Sequence, residues 1–235
     1  MNILLIGYGK MGKAIEAIAI ERGHSITGKA DNPEELLKFN STADAAIEFS
    51  QPDAVIDNLK FCFDKKIPVV CGTTGWLGRK HEIESLCTQK KAAFFYASNY
   101  SLGVNLFFKL NEYLAILMKG RKGYEISIDE THHTQKKDAP SGTAITLAEG
   151  IIKNNPSKKG WALNKASNPE ELPIRSFRID PAPGTHTVHY NSAVDDVLIQ
   201  HTAHSRQGFA LGAVLVAEWL AGKTGVYTMD DFLKF

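Results

Sequence analysis

Cysteine is scarce in this sequence, charge of one sign does not predominate, and no long apolar run is present. The 235 residues include three cysteines, Cys62, Cys71 and Cys87, an odd number without CxxC spacing, which indicates reduced thiols rather than a disulfide framework. A formal net charge of +1 gives no electrostatic reason to expect nucleic acid or an anionic membrane as a partner. No apolar run approaches the roughly 20 residues that a membrane-spanning helix needs. Because the first predicted strand begins almost at Met1, we expect no signal peptide and a cytoplasmic location.

What the sequence does contain is the composition of an ordinary globular protein. Hydrophobic residues make up 43% of the chain and charged residues 23%, which is typical of domains with a buried core. A length of 235 residues is long for one compact domain and comfortable for two small ones. The composition and length therefore predict two domains.

The N-terminal segment carries a nucleotide-binding pattern. Residues 2–6 form an apolar run that predicts a buried parallel strand, and residues 13–22 predict a helix. Between them, Gly7, Gly9 and Gly12 have G-x-G-x-x-G spacing, in which glycines permit a tight turn, approach of a pyrophosphate and close helix–strand packing. The helix N-terminus would offer free N–H groups to the phosphates. An ordinary glycine turn is the alternative, but the flanking strand and helix favour dinucleotide binding.

An acidic residue follows the second predicted strand, residues 25–30. Asp31 falls at about the distance from the glycine loop at which a carboxylate binds the ribose diol of NAD. A carboxylate there would repel the 2′-phosphate of NADP. Lys29 and Asn32 lie nearby and would soften this repulsion, so the sequence leaves both NADH and NADPH open as cofactors.

Three further strands are predicted in this half, and each ends in a loop suited to a ligand. Strands over residues 45–50, 68–71 and 92–96 alternate with helices, which predicts a Rossmann-type, doubly wound parallel sheet. Ligands of such sheets bind beyond the carboxyl ends of the strands. The loops begin near Phe49, at Gly72-Thr73-Thr74 and at Ser98-Asn99-Tyr100. Ordinary turns with satisfied hydroxyls are an open alternative for the threonines.

Past Gly120 the pattern changes from alternating strands and helices to several strands close together. Strands are predicted over 124–132, 174–180, 185–192 and 197–203, and short links between the last three predict a largely antiparallel arrangement. A helix over 102–119 carries Leu106, Leu110, Leu114 and Leu117 along one side, residues 154–168 read as a surface loop, and 208–220 predict a final helix. We therefore predict a dinucleotide-binding domain of residues 1–101 and 207–235, and an α+β substrate and oligomerisation domain of residues 102–206 with a mixed sheet.

The densest chemistry lies at the end of the strand over 124–133. His132 and His133 would point to opposite faces, so only one of them can face a given pocket, and Lys136 follows in the turn. Ser141 is a good N-cap for a helix whose first N–H groups belong to Gly142 and Thr143. A carboxylate at this helix start would be stabilised by the N–H groups and by the lysine, and a histidine could donate a proton at neutral pH. The residues indicate reduction of a small anionic substrate, against the alternative of a solvated strand edge.

Metal and nucleophile chemistry are poorly supported, and we expect no metal site. Among His132, His133, His201 and His204, the His201-x-x-His204 pair lacks the Glu of HExxH, and on a strand its side chains face opposite ways. The sequence around Ser141 is not G-x-S-x-G.

Several segments together resemble one known family. They are Glu130-Thr131-His132-His133, Lys136 with Asp138-Ala139-Pro140-Ser141-Gly142-Thr143-Ala144, the glycine loop, Gly72-Thr73-Thr74-Gly75, Asn99-Tyr100-Ser101-Leu102-Gly103-Val104-Asn105, Gly184-Thr185-His186 and His204-Ser205-Arg206. In these segments the chain resembles the 4-hydroxy-tetrahydrodipicolinate reductases, long called dihydrodipicolinate reductases, over nearly its whole length.

The resemblance implies an activity, a site and an assembly. It implies reduction of the cyclic dicarboxylate 4-hydroxytetrahydrodipicolinate by NADH or NADPH in diaminopimelate and lysine biosynthesis, by a homotetramer joined through the sheets of the substrate domains. His132 would be the general acid, Lys136 would hold charge, and His133, Gly142 and Thr143 would bind the substrate. The dinucleotide contacts implied are Gly7, Gly9, Lys10, Met11, Gly12, Asp31, Phe49, Gly72, Thr73, Thr74, Ser98, Asn99 and Tyr100.

The chain departs from the family pattern in three places. It is shorter after Asp31, its glycine loop is one residue tighter with Tyr8 inside it, and Tyr100 stands where phenylalanine is frequent and could add a hydrogen bond near the cofactor. The competing hypotheses are another NAD(P)-dependent amino-acid or semialdehyde dehydrogenase, and a non-enzymatic dinucleotide-binding regulator. A thiol-dependent dehydrogenase needs a reactive cysteine in a ligand-facing loop, whereas Cys71 falls in a predicted strand and Cys87 in a helical run.

Overall fold

A computed structural model describes residues 1–205 and 207–235. Arg206, the last residue of the His204-Ser205-Arg206 motif, lies outside the described residues. The elements in chain order are β1 (Asn2–Ile6), α1 (Lys10–Glu21), β2 (Ser25–Ala30), α2 (Pro33–Leu37), β3 (Ala45–Glu48), α3 (Val55–Asp64), β4 (Val69–Cys71), a 3₁₀ turn (Leu77–Arg79), α4 (Lys80–Gln89), β5 (Ala93–Tyr96), α5 (Leu102–Met118), β6 (Glu125–His132), α6 (Gly142–Asn154), β7 (Gly160–Leu163), β8 (Glu171–Arg178), β9 (Gly184–Asn191), β10 (Asp196–Ala203), α7 (Gln207–Leu220), β11 (Gly225–Tyr227) and α8 (Met229–Leu233).

The chain divides into two compact units. One contains Met1–Leu102 with Gln207–Phe235, and the other contains Gly103–Arg206. Leu102 therefore falls in the first unit, one residue away from the boundary that the sequence predicts. No helix in the described part of the chain is both long and apolar enough to cross a membrane.

The first unit, here called the nucleotide unit, contains a parallel sheet with helices on both faces. Its strand order is β2-β1-β3-β4-β5-β11, and each neighbouring pair is parallel. One core lies between the sheet and helices α1 and α7, and the other between the sheet and helices α2, α3 and α4. The predicted doubly wound sheet is confirmed. The C-terminal strand β11 and helix α8 are additions that the sequence analysis did not anticipate.

The connection from β2 to β3 is as short as the sequence suggests. Helix α2 begins with Pro33 in its first turn, and the N-cap Asn32 side chain accepts a hydrogen bond from the Glu35 N–H. This single capped piece of helix is enough to bring the chain across β1, where Asp44 N–H donates to the Asn2 carbonyl. Helix α2 has only five residues and ends at Leu37.

The second unit, here called the substrate unit, contains a mixed five-stranded sheet of order β10-β9-β6-β8-β7. The β10/β9 and β9/β6 pairs are antiparallel, whereas β6/β8 and β8/β7 are parallel. The mixed sheet is confirmed, with a larger parallel share than the short links suggested. Residues 154–168 are not a simple surface loop, because they contain strand β7, which pairs with β8.

Helices α5 and α6 pack on one face of this sheet. Their contacts with the sheet are apolar and include Phe107, Leu147 and Ile151 against Ile128 and Val188. Most of the leucine side of α5 does not make this contact: Leu106, Leu110 and Leu117 are exposed and only Leu114 packs against the core. The helix instead buries Val104, Phe107, Asn111 and Ala115. Asn111 is buried because its side-chain amide donates to the Leu147 carbonyl, which joins the two helices.

Helix α7 offers a sharp test of the packing in the nucleotide unit. A Cβ at Gly212 would overlap the carbonyl oxygen of Tyr100, whereas a Cβ at Gly208 on the same helix would lie 3.7 Å from Ser101 Oγ, an ordinary contact. We expect Gly212→Ala to lower the free energy of unfolding by roughly 3 kcal/mol, as overpacking of a close backbone contact does. Gly208→Ala is the control and should be neutral or slightly stabilising. Urea unfolding measures both, and equal stability of the two variants would contradict this packing.

Candidate active site

The glycine loop joins β1 to α1 by a turn that only small residues permit. Gly7 has φ +87° and its N–H donates to the Ala30 carbonyl at 2.7 Å, while a Cβ at this position would overlap the Phe49 backbone. A Cβ at Gly12 would overlap the Gly7 carbonyl oxygen, so helix and turn lie in close contact. At Gly9, by contrast, none of the described atoms lies within 4 Å of a Cβ position. The loop is therefore tightly packed at Gly7 and Gly12, and there is open space next to Gly9.

The open side of the loop is the N-terminus of α1. Gly9 is the N-cap, and a glycine has no side chain with which to cap the first N–H groups. The first turn contains Lys10, Met11 and Lys13 and no acidic residue. The amide hydrogens and the positive end of the helix dipole are thus suited to an anion such as a pyrophosphate.

Asp31 lies at the carboxyl end of β2, beside this loop. Its carboxylate accepts the Tyr8 N–H at 2.7 Å, and its own N–H donates to Glu35 Oε2 at 2.8 Å. A cavity of about 110 Å³ borders Asp31 and Gly7 and is also lined by Gln51. A carboxylate held in place next to a cavity is suited to binding a diol.

The charge of Lys29, near this cavity in the sequence, is already paired. Its Nζ pairs with Glu16 Oε1 at 2.6 Å, donates to the Tyr8 hydroxyl at 3.1 Å and lies 4.6 Å from the Tyr8 ring centroid. Tyr8, which lies inside the tight loop, therefore joins Glu16 and Lys29 into one cluster, in which the glutamate balances the lysine charge.

The loops after β3 and β4 are joined to each other. The Ser50 N–H donates to Thr73 Oγ1 at 2.8 Å, and Trp76 Nε1 donates to the Thr73 carbonyl at 2.7 Å. Thr73 is buried and holds the loops together, while Thr74 is exposed. Gly72 lies against the Phe49 ring, which leaves no space for a side chain there.

The loop after β5 contains one buried and one exposed candidate. Tyr100 is only 1% exposed, and its hydroxyl donates to the Cys71 carbonyl at 2.7 Å. The hydrogen bond that this tyrosine adds therefore supports the end of β4. Ser98 is exposed, and Asn99 Oδ1 accepts the Ser101 N–H at 2.9 Å.

The cysteines are unpaired and buried, and all three belong to the described residues. Burial raises the pKa of Cys87 to about 11 and raises the pKa of Cys71 well above the ordinary thiol value. Neither sulfur is a thiolate at neutral pH, which argues against a thiol-dependent dehydrogenase.

In the substrate unit, the inner face of β6 changes from apolar to polar at its end. Ile126 and Ile128 belong to the core, and the next two residues on the same face are Glu130 and His132. His132 is 8% exposed and Glu130 is fully buried. His132 Nδ1 lies 3.3 Å from Glu130 Oε2, although the alignment is not that of a regular hydrogen bond.

Two neighbouring strands bring further groups to Glu130. Arg178 on β8 lies opposite His132, and its guanidinium nitrogens NH1 and NH2 are each 3.3 Å from Glu130 Oε1. The Ser141 N–H donates to Glu130 Oε2 at 3.1 Å. Burial alone raises the pKa of Glu130, but the adjacent His132 and Ser141 outweigh it and hold that pKa well below the usual range. Glu130 is therefore an ionised carboxylate inside the unit.

His186 on β9 lies opposite Glu130 and beside His132. The two imidazole centroids are 5.0 Å apart, and His186 Nε2 is 3.0 Å from Ser141 Oγ. Burial first, and the neighbouring His132 second, lower the pKa of His186 to about 4. His186 is therefore a neutral ring at physiological pH.

The segment between β6 and α6 carries the predicted lysine. Lys136 is half-buried, and its Nζ is 2.8 Å from both carboxylate oxygens of Asp138. Asp180 holds the start of the segment, accepting from the N–H and the hydroxyl of Thr134. These Thr134 hydrogen bonds lower the pKa of Asp180, and the charge of His133 adds a smaller contribution. His133 thus lies past the strand, on the Asp180 side.

Helix α6 starts as the sequence predicts. The Ser141 Oγ accepts the Ala144 N–H at 3.2 Å, which is the N3 position of the cap. Helix geometry leaves the N–H groups of Gly142 and Thr143 without partners inside the helix. Gly142 is exposed, and no described atom beyond its chain neighbours and its own helix backbone lies within 4 Å of its Cβ position. The helix start is open for a carboxylate.

The site residues predicted from the sequence do not include Glu130, Arg178 or His186. Glu130 had a local signal, because it lies two residues before His132 on a strand and so shares its face. His186 belongs to the Gly184-Thr185-His186 segment of the resemblance but had no assigned role, and Arg178 had no signal, since both positions depend on the pairing of β8 and β9 with β6.

Glu130, His132 and His186 also place ligand atoms within 4.8 Å of one another, the arrangement that a metal ion would need. Arg178 already pairs with the same carboxylate and supplies its positive charge. A guanidinium paired with this carboxylate disfavours a cation among these described residues.

Comparison with known proteins gives one consistent family. The family model described as "Dihydrodipicolinate reductase, N-terminus" matches residues 1–100, and "Dihydrodipicolinate reductase, C-terminus" matches residues 103–233. A 4-hydroxy-tetrahydrodipicolinate reductase of Christiangramia forsetii is 51% identical over 235 residues, covering 100% of this chain and 98% of that protein. The reductase of Alkaliphilus oremlandii is 33% identical, covering 100% and 99%.

The fold is also that of a solved structure. The dipicolinate-bound dihydrodipicolinate reductase from Paenisporosarcina sp. TG-14 matches with a TM-score of 0.78 at 21% identity, covering 97% of each chain. An amine dehydrogenase from Mycobacterium smegmatis shares the fold less closely, with a TM-score of 0.61 at 10% identity. The family models and the full-length relatives confirm the resemblance: this chain belongs to the dihydrodipicolinate reductase family.

Proposed function

We propose that this chain reduces 4-hydroxytetrahydrodipicolinate with NADH or NADPH, in the pathway to diaminopimelate and lysine. The observation that supports it most is in the substrate unit, where His132, the Lys136 segment and the open start of α6 lie together around the Glu130–Arg178 ion pair. A cationic group and free amides suit a dicarboxylate, and an imidazole suits proton transfer. The Paenisporosarcina relative holds dipicolinate, a ring of the same dicarboxylate class.

In this proposal each residue of the substrate unit has one task. The N–H groups of Gly142 and Thr143 hold one substrate carboxylate. When the substrate binds, Lys136 leaves Asp138 and pairs with the substrate's negative charge. His133 lines the same pocket from beyond the strand end. His132 donates the proton to the ring as charge develops there. Glu130 lies beside Nδ1, the opposite nitrogen of the imidazole, at 3.3 Å.

The nucleotide unit would hold the cofactor, which supplies the hydride when bound. Gly7, Gly9 and Gly12 with the amides of Lys10 and Met11 hold the pyrophosphate, and Asp31 holds the adenosine ribose. The nicotinamide half lies along the loops after β3, β4 and β5. Its contacts would be with Phe49, Gly72, Thr73, Thr74, Ser98, Asn99 and the backbone of Tyr100.

We also propose a cytoplasmic homotetramer joined through the sheets of the substrate units. The sheet face opposite α5 and α6 exposes Phe177 and Leu198, two large apolar side chains. An interface between copies would cover them.

The general-acid role predicts a specific split in kinetics. His132→Gln should lower kcat by about 100-fold or more, the range expected for loss of a positioned proton donor, while the dissociation constant for NADH stays unchanged. Oxidation of NADH at 340 nm with the condensation product of pyruvate and aspartate semialdehyde measures the rate, and fluorescence titration measures binding. His81→Gln, on exposed α4, is the control. A His132→Gln variant with near-normal kcat would rule out this role. A wild-type chain that binds NADH but does not oxidise it would favour a regulator.

Cofactor preference follows from the charges around Asp31. Because Asp31 is a fixed carboxylate and Glu16 balances Lys29, we propose a preference for NADH over NADPH. Asp31→Asn should raise the ratio of kcat/KM for NADPH to that for NADH by about tenfold, equal to ~1.4 kcal/mol of removed repulsion. Glu16→Gln, which frees the lysine, should raise the ratio further in the double variant.

The control for a simple change in net charge is Glu34→Gln, on exposed α2. Its ratio should equal that of the wild type. An Asp31→Asn variant with an unchanged ratio would show that the 2′-phosphate binds away from this carboxylate.

A further inference from the structure

The buried ion pair between Glu130 and Arg178 has no role in the proposed proton and hydride transfer. Glu130 is 0% exposed and the Arg178 side chain is 21% exposed. Taking two charges out of water is costly, and an apolar pair of similar size is often as stable. Stability alone therefore does not explain why a buried ion pair lies among the proposed substrate groups.

The carboxylate of Glu130 contacts two of the proposed substrate groups. Its Oε2 accepts the Ser141 N–H at 3.1 Å, which fixes the N-cap residue of α6 and so the amides of Gly142 and Thr143. The same oxygen lies 3.3 Å from His132 Nδ1. One carboxylate thus adjoins both the imidazole and the anion-binding helix start.

The guanidinium of Arg178 contacts the third group. Its Nε donates to the Lys136 carbonyl at 3.2 Å and its NH2 to the Asp138 carbonyl at 2.6 Å. One of these carbonyls belongs to Lys136 itself and the other to the residue two positions later, so the arginine holds the backbone that carries the Lys136 side chain. Its remaining donors reach Glu130 Oε1 and the Phe177 carbonyl. The planar fork of an arginine can make these contacts at once, and a lysine cannot.

The position of the His132 ring is constrained from its other side as well. A Cβ at Gly184 on β9 would lie 3.1 Å from His132 Nε2, so the glycine leaves space for the ring. With Nδ1 facing a carboxylate, Nε2 is the nitrogen left to exchange a proton with a ligand.

We propose that the Glu130–Arg178 pair is the positioning centre of the substrate site, setting the His132 imidazole, the Lys136 ammonium and the α6 amides in one geometry. This inference rests on the proposed function. Glu130 and Arg178 touch no reacting atom in it, and they act through the three groups that they hold.

The charged and titratable groups around His132 make the role of Glu130 measurable by pH. Glu130 on its own strand and His186 on β9 lie next to His132, Arg178 on β8 is its partner in the strand register, and the charge of Lys136 in the loop acts on the adjacent His186. Of these, Glu130 is the one that carries negative charge. Glu130→Gln should lower kcat about 10- to 100-fold and move the alkaline limb of the kcat/KM profile to lower pH, because the protonated imidazole loses its counter-charge.

Loss of the arginine should act mainly on the substrate. Arg178→Gln should raise KM for the cyclic dicarboxylate about tenfold or more, because the Lys136 backbone is released, while KM for NADH changes less than twofold. Arg178→Lys should not restore the wild-type KM. The control is Arg22→Gln, which breaks an Arg–Glu–His cluster with Glu218 and His24 in the nucleotide unit. It should leave both Michaelis constants and the pH profile unchanged.

A paired variant separates positioning from stability. Glu130→Gln with Arg178→Met removes both charges, so it avoids the uncompensated charge of either single change. We expect a melting temperature near that of the wild type with kcat/KM still at least 50-fold reduced. If this folded variant regains wild-type kcat/KM and pH profile, the pair is only structural and the positioning proposal fails. If the wild type itself does not turn over the cyclic dicarboxylate, the proposed function fails instead.

Discussion

The ionised carboxylate of Glu130 is the constraint on which the substrate unit depends, because a buried charge must be surrounded by donors. Its partners come from separate places in the chain: Arg178 on β8 and the Ser141 amide at the start of α6 donate to it, and His132 on the same strand lies beside it. Satisfying one carboxylate therefore joins a strand end, a loop and a helix start. The chemistry proposed for the site uses the outer surfaces of these same three elements.

The nucleotide unit depends on a different kind of constraint, the absence of side chains. Gly7 and Gly12 let β1, the Phe49 backbone and α1 come into contact, so the open amides of the helix face outward above Gly9. Tyr8, which makes the loop unusual, joins the Glu16–Lys29 pair instead of entering the phosphate space. The substrate unit thus positions its proposed ligand groups through a buried charge, and the nucleotide unit positions its own through close backbone packing.

The sequence could predict what is encoded locally. The strand, glycine turn and helix at residues 2–21, and the capped helix at 142, are formed by neighbouring residues with strong propensities, and the structure has them. Elements that depend on pairing were missed: β7 is a short strand in a polar segment, and β11 has three residues. The parallel pairing of β8 with β6 was therefore not anticipated, nor was Arg178 beside a glutamate 48 residues earlier. The leucine side of α5 looked like a packing face, but a smaller set around Phe107 and Ala115 makes that contact.

The central claim is that Glu130 is charged inside the folded protein, and ¹³C NMR of labelled glutamate carboxyls tests it directly. The Glu130 resonance is assigned by its loss in Glu130→Gln, and its chemical shift is followed as the pH is lowered from 7. The account predicts a carboxylate shift that persists well below the usual glutamate pKa of 4.5, until the protein unfolds. A resonance that titrates at or above that value would show a neutral Glu130 and would contradict the account.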